Sequence, residues 1–473
     1  MSRKTKNIII LIFLFIGSRL FFYIIGIHFD ITPLTWYFQY LDPVDLKTNL
    51  LQSLFYLHSQ PPGFNLFLGL VLKWASGFET TAFQVIYILI GLIITIALYK
   101  MLIEFKISST VALLFSMFCA LSPPVILYEN WLFYTYPVVC LLLLSILFLN
   151  KYLKKNQPVY LFLFFSALGL IVITRTLFQP IWFLTILILM IILDKKNIGK
   201  ILLAALLPLM MILTLCIKNY VVFREANLSS WFGMNLIKMT FSIPYNQIMP
   251  LIEKGTVSDI AIKKPFQAPD AYQTYAKFDT VTNIPVLDKQ YKSTGAVNFN
   301  HLGYIAVSRK YYAAACYLIK KFPFYYLHSI IKAFYTYLRP CSSFQEADNT
   351  KKIAFWKNIY EEYLCGDVLQ HVWNINYVTR FDQVRKIHLN FLYLFIPFLY
   401  CWATILAIKG QKFLDLSRAE MFVIRYIVFN IIYITLIGNL IEVGENMRFR
   451  FLILPSLYIL VALFLRYLMT RKT

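Results

Sequence analysis

Charged side chains are scarce in this chain: 14% of its 473 residues are Asp, Glu, Lys or Arg, and only 23 are acidic. At that density, two carboxylates in one short loop call for a chemical explanation. The six histidines include no HxxH or similar pair, which removes a common spacing of metal ligands. The seven cysteines also lack metal-type spacing. Cys119, Cys140, Cys216 and Cys401 lie in apolar runs, where a thiol packs as a small hydrophobe. Cys316, Cys341 and Cys365 fall in a long polar loop, and a Cys341–Cys365 bridge requires that loop to be extracytoplasmic. Repeats, low-complexity tracts and inverted internal symmetry are missing, and the last absence counts against a carrier. No small-residue cleavage site follows Ser2-Arg3-Lys4-Thr5-Lys6 and the long apolar run after it, so that run reads as a retained first span.

What the chain has is apolar length. It is 59% hydrophobic with a mean hydropathy of +0.64, against about 45–50% apolar residues in a soluble domain. The class is therefore an all-α polytopic membrane protein. The net charge of +22 does not point to nucleic acid, because Lys and Arg fall in short clusters between apolar runs, where they set orientation and attract anionic lipid. Aromatic residues, at 18%, suit interfacial belts and apolar grooves.

Windows of about twenty apolar residues can cross a bilayer. Candidates are 8–27, 82–102, 110–127, 131–149, 159–174, 180–193, 201–222, 389–408, 421–440 and 451–468, about ten or eleven crossings in all. Placing the basic clusters near 3–6, 100–106, 151–155, 195–200, 409–418 and 466–472 in the cytoplasm obeys the positive-inside rule. Residues 28–62, 128–130, 175–179, 223–388 and 442–450 then lie outside. The parity holds if the stretch 63–76, entered through Pro61-Pro62, is an interfacial or re-entrant helix. Three regions result: a membrane module over 1–222, a large extracytoplasmic loop with amphipathic helices over 223–388, and terminal spans over 389–473.

Five features on the outer side can carry chemistry. Asp42 and Asp45 share one face if helical, or Asp42 caps a helix that Pro43 begins. As a base, such a carboxylate would take a hydroxyl proton. His58 and Gln60 precede the double proline and suit hydrogen bonds to a sugar or phosphate; a lone histidine is more often a satisfied polar residue. Glu129 follows Ser122-Pro123-Pro124; an acid at a membrane edge is costly and often functional, with a snorkelling surface residue at a loop as the alternative. Arg175 defies the topology bias, and so do Arg448 and Arg450. Guanidinium groups fit phosphate oxygens, although pairing with Glu442 and Glu445 is the plainer reading.

The order of these features resembles the bacterial glycosyltransferase C superfamily, which includes protein O-mannosyltransferases and the lipid A aminoarabinose transferase. The resemblance rests on the acidic first loop running into Pro61-Pro62, on Glu129 after its Ser-Pro-Pro turn, and on Arg448-Phe449-Arg450 opening a late span that holds Pro455. It covers most of the membrane portion and not the long loop. It departs from the family's Asp-Glu pair, since Asp42 has Leu41 and Pro43 as neighbours. The resemblance implies a bacterial cytoplasmic membrane enzyme that transfers a hexosyl or pentosyl group from a polyprenyl-phosphate donor to an acceptor glycan, lipid or protein, at the extracytoplasmic face. Asp42 or Asp45 would act as base with Glu129 as partner. Arg175, Glu445, Arg448 and Arg450 would bind substrate, along with His58 and Gln60. A divalent cation, Mg or Mn, is compatible with paired acids but not required by them. Two readings compete: a flippase or transporter of lipid-linked sugars, and a polysaccharide polymerase or ligase with a pyrophosphate-linked donor, which would rely on arginines and a histidine.

Overall fold

Uninterrupted apolar runs become long helices, and prolines mark where those helices begin. A computed structural model describes residues 3–344, 348–364, 375–377, 385–387 and 395–470. The chain opens with α1 (Arg3–Ile24). Its first loop then folds α2 (Pro43–Thr48), α3 (Leu50–Phe55) and α4 (Gly63–Trp74). Next come α5 (Glu79–Glu104), then α6 (Ser109–Ala120) and α7 (Pro123–Glu129), which meet at a bend of 59° where Pro123 and Pro124 restart the helix. α8 (Thr135–Lys155), α9 (Pro158–Val172), α10 (Pro180–Leu193) and α11 (Ile198–Phe223) follow. After α11 the chain leaves the bundle through α12 (Phe232–Leu236), α13 (Gly303–Lys321) and α14 (Pro323–Tyr337). It returns through α15 (Ile396–Leu414), α16 (Arg418–Ile441), α17 (Met447–Leu452) and α18 (Leu454–Thr470). Among the described residues one antiparallel ribbon, Ile375–Tyr377 with Arg385–Ile387, interrupts the helices.

Among the described residues five helices are long and apolar enough to cross a membrane: α1, α5, α8, α11 and α16, or six if α6 and α7 make one bent span. The remaining predicted spans are helical too, but α9, α10 and α18 hold 15, 14 and 17 residues. At about 1.5 Å per residue the shortest covers roughly 21 Å of a hydrocarbon core about 30 Å thick. A count of ten to eleven crossings therefore exceeds what length and composition support. The first residues of the predicted span 389–408 lie outside those described.

The ends of the helices sort by charge. Lys154 pairs with Glu104 at 2.5 Å and lies 3.7 Å from Glu420. Arg466 donates to the carbonyls of Phe105 and Leu414. Four of the basic clusters thus meet at one end of the bundle. The opposite end collects the first loop: Asp30 bridges to Trp131, Lys47 pairs with Glu79, and the Gly63 amide bonds Ile173 at 2.7 Å. α4 accordingly begins and ends at this second end.

The excursion between α11 and α14 builds a core of its own around Trp231, Met234, Ile260, Tyr272, Tyr304 and Tyr311. Its centre is the crossing of α12 over α13, which Gly233 permits: a Cβ there would lie 1.9 Å from the Ser308 carbonyl oxygen. This core sits on the second end of the bundle, and between the two lies a hollow of about 1150 Å³.

Candidate functional site

The first-loop acids hold the excursion in place. Asp42 caps α2, accepting from the Val44 amide at 2.9 Å, and its oxygens also accept from the Ser293 amide and hydroxyl, both at 2.6 Å. Burial opposes its charge, yet the bonds from Ser293 and Val44 and the charge on Lys289 hold the carboxyl below its ordinary range. A carboxylate so held is a weak proton acceptor. Asp45, also buried, pairs with Lys289 at 3.1 Å. Beside them Lys292 donates to the Tyr37 carbonyl at 2.8 Å, and burial pulls its pKa down to about 8.

His58 is a second tether. Its Nε2–H donates to the Asn300 carbonyl at 2.8 Å, which leaves Nδ1 to accept from the Ser230 hydroxyl at 2.7 Å. Its amide and that of Ser59 both bond Asn300 Oδ1. Burial, with the charges on Lys218 and His301, pushes the imidazole down to about 3. A histidine that stays neutral and fully bonded shuttles no proton at neutral pH. Folding thus favours the neutral ring, so between about pH 6.5 and 3 the unfolded chain binds the proton that the folded one refuses. Stability should fall across that window as pH drops, by up to roughly 1.4 kcal/mol per pH unit from this group. Unfolding midpoints in detergent against pH will check this: His58→Gln should flatten the slope, and an unchanged slope would place its origin elsewhere.

Glu129 also proves to be bonded within the fold. It forms a two-pronged pair with Arg19 of α1, both contacts at 2.7 Å, and accepts from the Tyr136 hydroxyl at 2.9 Å. Sequence reading passed over Arg19, which sits inside the first span. The pair faces a separate crevice of about 310 Å³ between α1, α5 and α7, which includes neither first-loop acid. Arg450 likewise turns away from open space. It donates to the Tyr337 and Arg339 carbonyls and to Cys341 Sγ, holding the carbonyl end of α14. The expectation that Asp42, Glu129 and the two arginines serve one site is therefore corrected: Asp42, Glu129, Arg450 and Arg448 occupy four separate surroundings. Cys365, of the Cys341–Cys365 pairing, lies outside the described residues.

Four of the expected residues do converge. Gln60, Arg175, Glu445 and Arg448 line a cavity of about 1150 Å³ between the bundle and the excursion. Three further cations join them, Lys238, Lys332 and Arg339, with one further acid, Glu442. Five cations thus face two carboxylates. Arg175 is 3% exposed, donates to Thr135 Oγ1 at 3.1 Å and lies over the rings of Tyr134 and Phe449, each at 5.3 Å. Among the described residues no carboxylate lies within ion-pair distance of it. Burial, and the like charge of Arg448, pull its pKa down to about 10, where it is still a cation at neutral pH.

Arg448 pairs with Glu445 at 3.2 Å, and the partners feel the pair differently. Burial opposes the charge on Arg448, but Glu445 together with Tyr134, Tyr37 and Glu442 outweighs it, and the guanidinium is held above its ordinary value. For Glu445 the loss of hydration and the charge on Glu442 outweigh Arg448, so its carboxyl is raised. Its side chain is 48% exposed, but to the interior of the cavity, where protein walls surround it.

One edge of the cavity reaches the apolar flank of the bundle. Ile181 of α10, 63% exposed, and Ile437 and Ile441 of α16 line it there. Beneath them the two helices are tied by Trp182 to Asn430 at 3.1 Å and by Tyr433 to the Leu177 carbonyl at 3.0 Å. Among the described residues no three His, Cys, Asp or Glu side chains are grouped to hold a metal ion. Compared with family models, curated proteins and solved structures, the chain matches none, so the site is read from its own residues.

Proposed function

We propose that this chain is an integral membrane glycosyltransferase of the glycosyltransferase C type, which moves a sugar from a polyprenyl-phosphate donor to an acceptor hydroxyl with inversion. The observation that carries the reading is Arg175: a buried guanidinium without a carboxylate, facing a large cavity beside Arg448. Burying an uncompensated charge is costly, and a phosphate would repay it with bidentate hydrogen bonds. The apolar edge at Ile181, Ile437 and Ile441 offers the carrier's tail a way out between α10 and α16 without leaving lipid. The basic clusters gathered at the opposite end support placing the cavity on the extracytoplasmic side.

A diphosphate-linked donor, as a polymerase or ligase uses, has one observation in its favour: five cations are ample for two phosphates. The histidine such an enzyme would need is not His58, which is locked in its tether. Binding separates the two readings. Purified protein in nanodiscs should retain polyprenyl monophosphate, measured by native mass spectrometry, and Arg175→Ala should lose it by about tenfold or more, equivalent to one charge-assisted hydrogen bond. Preference for the diphosphate would move the enzyme to the polymerase or ligase class. Retention of neither would remove the lipid-donor reading.

A further inference from the structure

The cavity has an order that its contacts reveal. At one end Phe38, Trp231 and Phe266 form a triangle of rings with centroids 5.5, 5.4 and 5.3 Å apart. Lys238 lies over Phe266 at 5.0 Å and reaches Glu442 at 3.6 Å. Glu442 opens the short turn that carries Glu445, and Glu445 reaches Arg448 at 3.2 Å. Arg175, over Phe449, closes the series. The carboxylates thus stand between an aromatic end and a guanidinium end.

That turn is clamped. Asn446 is fully buried, and its Nδ2 donates to the Gly438 carbonyl at 3.1 Å, to Asn439 Oδ1 at 3.1 Å and to the Glu442 carbonyl at 2.8 Å. Its Oδ1 accepts from the Gly444 amide at 2.8 Å. The clamp presents Glu445 to the hollow from a fixed backbone, as a catalytic group requires.

We infer that Glu445, and neither first-loop aspartate, is the proton acceptor of the transfer, with Phe38 and Phe266, the half-buried rings packed on buried Trp231, bedding a carbohydrate acceptor; this rests on the lipid-phosphate reading above. In the step, the acceptor O–H bond breaks and its proton passes to a Glu445 carboxylate oxygen. The freed electron pair bonds the oxygen to the anomeric carbon. The bond from that carbon to the phosphate oxygen breaks, and its electron pair leaves with the lipid phosphate against Arg175 and Arg448. Ring faces suit the apolar faces of sugars, and Gln39, Gln60 and Asn235 at the same cavity supply hydrogen bonds. Four charged groups face Glu445: Arg448 from α17, Glu442 from its own turn, Lys238 from beyond α12 and Arg175 from the turn between α9 and α10. Desolvation and Glu442 raise its carboxyl, which makes it a better base than Asp42.

The test uses the full-length protein in nanodiscs, a panel of polyprenyl-phosphate-linked radiolabelled sugars, and source membranes as acceptor. Glu445→Gln should lower turnover about 10²–10⁴-fold while polyprenyl monophosphate still binds, and the acidic limb of the pH profile should vanish. Glu445→Asp should recover part of the rate. Wild-type turnover in Glu445→Gln, with binding intact, would overturn the base assignment alone. A wild type that binds no polyprenyl phosphate would bring down the underlying reading and the base assignment with it.

Discussion

Replacing Glu129 with leucine should destabilise the protein by about 3–5 kcal/mol, the usual result of stranding one member of a buried ion pair. Arg19 would keep its charge beside the ring of Phe15, 3.9 Å away, with the Ser18 hydroxyl and the Ala120 carbonyl as its remaining acceptors. Arg19→Leu should cost a similar amount. The double variant Arg19→Leu/Glu129→Leu should recover most of the loss, because two apolar side chains of similar volume can replace a buried pair. Gly91 marks how closely the site is fitted, since a Cβ there would lie 2.1 Å from the Glu129 carboxylate. Gly91→Val should therefore resemble the single variants. Denaturant titrations in mild detergent will measure these effects. Additive losses in the double variant would contradict a coupled pair. An activity screen would score Glu129 as essential for the wrong reason, so rates must be normalised to folded protein.

Removing Arg175 or Arg448 should affect chemistry more than stability. In the proposed transfer each would stand where negative charge grows on the leaving phosphate, and a well-placed donor there contributes about 10²–10³ in turnover. Arg175→Lys should not rescue the loss, because an ammonium group cannot form the two-pronged contact. Arg448→Ala has a second consequence: Glu445 loses its cation at 3.2 Å, so its carboxyl should rise further. The acidic limb of the rate profile should then move to higher pH. Turnover within a few-fold of wild type for both alanine variants would refute the phosphate role.

Much of the fold was legible in composition, because twenty apolar residues in lipid have few options besides a helix. Span lengths were less so: Pro158 and Pro180 fix where α9 and α10 start, and the turn carrying Arg175 ends α9 early. The cap at Asp42 was readable from Pro43, yet its bonds to Ser293 join residues 251 apart, and no local pattern encodes them. The Arg19–Glu129 pair spans 110 residues for the same reason. Arg175 and Arg448 could be found because they break the charge bias of their side. Lys238, Lys332 and Arg339 could not, because a basic residue in a long polar loop looks like a solvated one until the loop folds back over the membrane end.

Photo-crosslinking is the most direct measurement of where a lipid-linked phosphate sits. A polyprenyl monophosphate with a diazirine in its first isoprene units should label α10 and α16 near Ile181, Ile437 and Ile441, and excess unlabelled carrier should compete the labelling away. Labelling of the crevice around Leu20 and Tyr23 of α1, or diffuse labelling that competitor leaves unchanged, would contradict the assignment of the cationic cavity.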